Sequence, residues 1–86
     1  MFYTVYILYS KKDNKLYVGC TKDIKARLAR HKAGYVQATK YRLPIELIRT
    51  EKFENKGEAF NRERFLKSLW GAREKKKILQ KFLNDH

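Results

Sequence analysis

The sequence holds one cysteine, one proline and four glycines in 86 residues, and only nine acidic side chains against 21 lysines and arginines. Each scarcity excludes something. With Cys20 alone there is no internal disulfide and no thiolate cluster for a metal, which suits a reducing compartment. With Pro44 alone, and no stretch of low complexity or fixed repeat, nothing marks an interdomain linker. No apolar run approaches the roughly 18 residues of a spanning helix, and residues 2–9 lack a basic leader and a small-residue cleavage site. An intracellular, cytoplasmic and soluble chain is expected. So short a chain buries only about 60% of the surface its unfolded form exposes. One domain over residues 1–86, with a shallow surface cleft rather than a deep cofactor cavity, is the expectation.

What is plentiful is positive charge and aromatic surface. The formal net charge is +12, and 43% of residues are hydrophobic, including aromatics at 14% of the chain. That much apolar surface excludes a disordered basic tail. The self-repulsion calls for an anionic partner, with nucleic acid the first expectation and an anionic membrane surface the second.

Residues 2–9 (FYTVYILY) and 16–19 (LYVG) are runs of β-branched and aromatic residues, joined by a polar turn containing Asp13 and Asn14. Residues 21–33 carry Ile24 and Leu28 at helical spacing, with Thr21 or Asp23 as N-cap and Gly34 past the end. An irregular, basic, aromatic stretch over 35–43 follows. Pro44 opens a third strand over 45–53, a loop over 54–57 follows, and helices are expected over 58–70 and 73–83. The order β-β-α-β-α-α predicts an α+β fold, a small three-stranded antiparallel or mixed sheet flanked by helices.

Three placements break the usual division between core and solvent. In the second helix, Glu63 has Ala59, Leu66 and Trp70 within about 60° on one side and Phe60 at about 60° on the other. A carboxylate inside an apolar stripe needs a partner cation or a metal. In the first helix, His31 and Arg27 lie within about 60° of Ile24 and so turn toward the sheet, whereas Arg30 faces away. A structural ion pair between Arg27 and Glu63, or a satisfied core histidine, explains these positions as well as a reactive site does. In the hairpin, a two- or four-residue loop puts Tyr6 and Tyr17 on one face of the sheet, where they either pack across strands or handle protons and phosphate oxygens, and a three- or five-residue loop without a bulge puts them on opposite faces.

Thr4-Val5-Tyr6 and Tyr17-Val18-Gly19, with ten residues between Tyr6 and Tyr17, an arginine ten residues after Tyr17 and a glutamate in a later helix, resemble the GIY-YIG nuclease superfamily. The likeness covers essentially the whole chain and is greatest to the short stand-alone branch, in which a segment like GEAFNRERFLKSL carries the acidic residue. Thr4 stands where the motif has its first glycine. Cys20 stands where many relatives carry a lysine, with Lys22 two residues on. Cys20 itself reads as a small packing residue at the start of the first helix.

The resemblance implies a metal-dependent endonuclease that hydrolyses phosphodiester bonds in DNA rather than RNA, in branched, flapped or single strands during repair or processing. It implies Tyr6, Tyr17, Arg27, His31 and Glu63 as the catalytic set. Glu63 would hold one Mg²⁺ or Mn²⁺, Arg27 would face the phosphate, and Tyr17 would be the base, assisted by Tyr6 or His31. Lys22, Arg30, Lys32, Lys40 and Arg42 are expected to hold the nucleic acid, with Tyr35 and Tyr41 available for stacking. Lys75, Lys76 and Lys77 read as a solvated helix face. No membrane association is implied, and an unlinked protein partner would supply specificity. The alternatives are a non-catalytic nucleic-acid-binding module that keeps the fold, and a basic structural protein docking on an acidic partner.

Overall fold

The computed structural model describes residues 2–85. The chain runs β1 (Tyr3–Ser10), β2 (Leu16–Thr21), α1 (Ile24–Lys32), β3 (Ile45–Phe53), α2 (Lys56–Lys67) and α3 (Ala72–Asp85), the expected α+β order. The three strands form one sheet in the order β2-β1-β3, and both pairings are antiparallel, so no mixed sheet occurs.

The central strand is the one whose residues are apolar on both faces. From Thr4 to Leu8 every side chain of β1 is buried, as a strand covered on both sides requires. Tyr6 pairs with Gly19 and Leu8 with Tyr17. This is the register of an even-length loop, so Tyr6, Leu8, Tyr17 and Gly19 share a face, while Val5, Ile7, Val18 and Cys20 share the other. The turn closes on Asn14, whose φ of 60° is a conformation asparagine adopts at low cost, and whose amide oxygen accepts from the Tyr9 hydroxyl at 2.7 Å.

Two small cores result, one on each face. On the first, Tyr6, Leu8 and Ile45 pack with Ile24 and Leu28 of α1. On the second, Val5 and Ile7 pack with Ala59 and Leu66 of α2, and Ile78 of α3 joins them. Asp23 caps α1, its carboxylate accepting from the Ala26 N–H at 3.1 Å, and Gly34 takes the expected left-handed backbone at φ 83°.

The second helix begins and ends earlier than the periodicity predicts. Asn55 caps it by accepting from the Glu58 N–H, and it stops at Lys67 because Ser68 turns extended and folds both its N–H and its hydroxyl back onto the Phe65 carbonyl. Trp70 therefore lies outside the helix and is exposed, as is Phe60. The apolar stripe around Glu63 is narrower than expected, consisting of Ala59 and Leu66 alone.

One polar cluster ties the second layer together. The Arg62 guanidinium donates to both oxygens of Glu51 in β3, at 2.7 and 3.0 Å, and to both of Glu74 in α3, at 3.0 and 2.6 Å. Arg49 adds a bond to Glu51 at 3.1 Å. These contacts hold both carboxyls below the usual glutamate range. Since α3 buries no residue completely, this cluster is a main tether of that helix. Among the described residues, no helix is long and apolar enough to cross a membrane.

Candidate active site

The sheet places the functional side chains on opposite faces, and the open edge of β2 brings them back together. Tyr6 and Tyr17 project toward α1, whereas Glu63 stands on α2 across the sheet. A cleft of about 440 Å³ wraps this edge and is lined by Tyr6, Tyr17, Gly19, Cys20, Arg27, His31, Thr39, Glu63, Lys67 and Lys75, among others. All five residues singled out as catalytic from the sequence line it.

The centre of the first wall is the Tyr6 hydroxyl. It accepts from Arg27 Nε at 3.3 Å and lies 3.1 Å from His31 Nε2. The other imidazole nitrogen, Nδ1, lies 2.7 Å from the hydroxyl of the fully buried Thr39. With the ring proton on Nδ1 and donated to Thr39, Nε2 is an acceptor for the Tyr6 proton. Burial first, and the Arg27 charge second, push the His31 pKa down, so the ring is neutral at pH 7. Gly19 makes room for this arrangement: a Cβ built there would overlap the Tyr6 phenol. Among the described residues, Arg27 has no carboxylate partner.

Tyr17 is held differently. Its hydroxyl donates to Asp13 Oδ2 at 3.1 Å and accepts from Arg42 Nε at 3.0 Å, and Arg42 also pairs with Asp13 at 3.1 Å. The hairpin turn and the 35–43 stretch are thereby clasped over one phenol.

On the opposite wall, Glu63 pairs with Lys67 one turn later, at 3.0 Å. The expected structural bond between Arg27 and Glu63 does not form, because the two helices cover opposite faces of the sheet. Half-buried Cys20 also lines the cleft. Burial, with the Glu63 charge adding to it, pushes its thiol pKa up, which favours the inert thiol over a reactive thiolate.

The expected nucleic-acid contacts are less well gathered. None of Lys22, Arg30, Lys32, Lys40 or Arg42 lines the cleft. Lys22 lies over the Tyr3 ring and Lys40 over the Tyr41 ring, while Lys32 borders a separate hollow with Leu43, Pro44 and Ile45. Arg42 touches the site through Tyr17. Besides Arg27, the cations that do line it are Lys67 and Lys75, so Lys75 is not part of a merely solvated face. At 100° per residue Lys75 lies within about 60° of Ile78, Leu79 and Phe82, so the repeat itself puts it on the inward side of α3, a signal hidden in a run of three lysines. Thr39 and Asp13 were not legible as site residues, since each acts through a partner distant in the chain.

Among the described residues, no three of His, Cys, Asp and Glu gather as a metal cage. Glu63 is the one carboxylate among the cleft residues. That donor set fits a hard divalent cation which keeps most of its water and takes one carboxylate plus substrate oxygens. It does not fit zinc, which takes three or four protein ligands.

The chain is also similar to known proteins. A family model described as the GIY-YIG catalytic domain matches residues 2–77. A UPF0213 protein of Natronomonas pharaonis is 40% identical over 75 residues, which is 86% of this chain and 87% of that one. A UPF0213 protein of Staphylococcus haemolyticus is 44% identical over 59 residues, 67% of this chain and 72% of that one. The solution NMR structure of a UPF0213 protein from Bacillus halodurans superposes with a TM-score of 0.56 at 34% identity, covering 93% of this chain and 84% of that one.

Proposed function

The chain belongs to the GIY-YIG catalytic domain family, a family of nucleases, and we propose from this premise that it is a divalent-metal-dependent endonuclease acting on DNA. The substrates would be single, flapped or branched strands met in DNA repair or processing. The observation that most supports this is the meeting, in one open cleft, of a phenol bonded to a neutral imidazole, an arginine with no carboxylate partner, and a lone carboxylate.

Each residue has a role that its contacts suit. Arg27 is anchored by Nε to Tyr6, which leaves its terminal nitrogens to fork over two phosphate oxygens and stabilise the charge that builds on phosphorus. A water bonded to the Tyr6 hydroxyl would give it a proton while Tyr6 passes its own to His31 Nε2, leaving hydroxide to attack the phosphorus as the opposite P–O bond breaks and the sugar alkoxide leaves, taking up a proton from solvent. The neutral acceptor beside Tyr6 favours this phenol as the base. Tyr17 already donates to Asp13, a carboxylate held below its usual range, and serves better as a fixed wall of the cleft. Glu63 would hold the cation, Mg²⁺ or Mn²⁺, which supplies Lewis-acid stabilisation of the phosphate oxygens. Lys67 and Lys75 would hold neighbouring phosphates, so binding should fall steeply with salt.

One observation favours a second reading, a nucleic-acid-binding module without catalysis: the Glu63 carboxylate is already paired with Lys67. Labelled single-stranded, flap, bubble, overhang and duplex DNA, with RNA counterparts, separate the two when incubated with Mn²⁺, Mg²⁺ or a chelator. The nuclease cleaves at least one DNA only with metal, and Glu63→Ala and Arg27→Ala abolish cleavage while binding persists. Salt-sensitive binding with no cleavage of any substrate under either metal leaves the binding module. An unlinked protein partner that supplies specificity would narrow the range of substrates cut.

A further inference from the structure

Leu69 and Trp70 stand in the turn between α2 and α3 with 92% and 84% of their surfaces exposed. Two large apolar side chains held side by side in water are unusual when the turn carrying them is rigid. Gly71 is buried there, so close to α2 that a Cβ would strike the Phe65 carbonyl and the Leu66 backbone. The Gly71 N–H donates to the Ser68 carbonyl at 3.2 Å and the Ala72 N–H to the Leu69 carbonyl at 3.2 Å. Trp70 is thus displayed by a fixed backbone.

The surroundings indicate the occupant. Across residues 64–77 there are six cations, Arg64, Lys67, Arg73, Lys75, Lys76 and Lys77, against one acid, Glu74, whose two oxygens are taken by Arg62. An apolar platform among cations of which Lys67 alone has a carboxylate partner, Glu63, suits a ligand that carries a flat π-face and a negative charge in every unit. Lys67 and Lys75, which flank the turn in sequence, both line the cleft. Three peptide links from Lys67 keep the Trp70 Cα within about 11 Å of it, only a few nucleotides along a strand.

We propose that Trp70 is a stacking platform for an unpaired nucleobase of the strand held in the cleft, so that the site selects single-stranded or locally unpaired nucleic acid over blunt duplex. This rests on the cleft being the nucleic-acid site argued above. The indole face receives a base, and Lys67 and Lys75 hold the phosphates beside it.

Trp70 is the only tryptophan, so its emission reports the contact directly. In chelator-containing buffer, where nothing is cut, the protein is titrated with a single-stranded DNA oligonucleotide and, separately, with the blunt duplex of the same sequence, each end-labelled for anisotropy. The single strand should quench the Trp70 emission and the bound duplex should leave it nearly unchanged. Trp70→Ala should weaken single-strand binding about ten-fold, within the range of one base–aromatic stack, and duplex binding less than about two-fold. Trp70→Phe should recover most of the loss, and circular dichroism should show both variants folded. If anisotropy reports saturable single-strand binding while emission stays unchanged, or Trp70→Ala weakens both DNAs equally, the stacking proposal is overturned and the nuclease reading stands. Emission that shifts with protein concentration alone shows a second copy covering the turn and also overturns it. No binding of any DNA by anisotropy sinks the nuclease reading itself.

Discussion

Replacing Gly19 with alanine adds one methyl group at the most crowded point of the cleft. That methyl would overlap the Tyr6 phenol and lie 2.9 Å from its Cε1, whereas carbon atoms pack at about 3.5–4.0 Å, so the ring must retreat by about 1 Å. The Tyr6 hydroxyl bonds at 3.1 Å to His31 and 3.3 Å to Arg27, and a shift of that size takes both beyond hydrogen-bonding range. Misplacement of about 1 Å at a reacting group costs on the order of 100-fold in rate. Overpacking costs roughly 1–3 kcal/mol of stability. The lower backbone entropy of alanine in the unfolded chain returns about 0.5–1 kcal/mol. A net loss of about 1 kcal/mol lowers Tm by only about 4–8 °C. The variant should therefore fold and bind DNA yet cleave about 100-fold more slowly in single-turnover assays with Mn²⁺ at 25 °C. Adding Gly19→Ala to Tyr6→Phe should cost much less than 100-fold, because the hydroxyl through which the methyl acts is already gone. Cleavage by Gly19→Ala within about three-fold of the parent, or full additivity with Tyr6→Phe, refutes the claim that Gly19 matters by seating Tyr6.

The other predictions concern the groups around that phenol and the tether of α3. The His31 ring, followed by NMR, should titrate below its usual 6.5, and its midpoint should rise in Arg27→Gln, which removes the neighbouring charge. A depressed pKa means the stability it contributes is complete above 6.5 and is lost as pH falls through the folded value; the acid limb of the cleavage profile should likewise lie below 6.5. Thr39→Val leaves the buried Nδ1 without its partner, so stability should fall by about 1–3 kcal/mol in urea titrations. Lys67→Ala frees Glu63, and half-maximal cleavage at saturating substrate should then need about two- to five-fold less Mn²⁺, matching an ion pair worth about 0.5–1 kcal/mol. Arg62→Leu strands two carboxylates, one of them on the rather exposed Glu74; solvent screening lowers the expected loss from the 3–5 kcal/mol of a fully buried pair to about 2 kcal/mol. Because both folded carboxyl pKa values are depressed, that loss is complete above the usual 4.5 and should shrink in melts at lower pH as the carboxylates protonate.

Local signals carried much of the fold. The β3 limits agree with the sequence expectation because Pro44 and the polar run after Phe53 bound it on both sides. Hairpin parity left the faces of Tyr6 and Tyr17 open, and the register decided for the even loop that puts them together, while the 3.6-residue repeat of α1 correctly turned Arg27 and His31 toward the sheet. The same repeat misled at α2: it extends smoothly to Trp70, and nothing in it reveals that Ser68 ends the helix by hydrogen-bonding to Phe65. Periodicity also says which side of an element is inward but not which sheet face it covers. Glu63 and Arg27 therefore looked like an ion pair when they stand on opposite walls of a cleft. The roles of Thr39 and Asp13 depend on contacts between segments far apart in the chain, to which no local pattern is sensitive, whereas Lys75 lies on the apolar side of α3 by its own repeat and was hidden by the lysines that follow it.

The open edge of β2 also bears on how the molecule behaves at high concentration. An exposed sheet edge is a template for the edge of another copy, and proteins commonly guard it with charge. Here the guard is the basic rim of Lys67 and Lys75 together with the +12 of the whole chain. At 1 M salt the reach of that repulsion shrinks to about 3 Å. On the proposed function, the salt that would strip nucleic acid from the protein would thus also lift its protection against aggregation, whereas nucleic acid held in the cleft would cover the edge and keep the molecules apart.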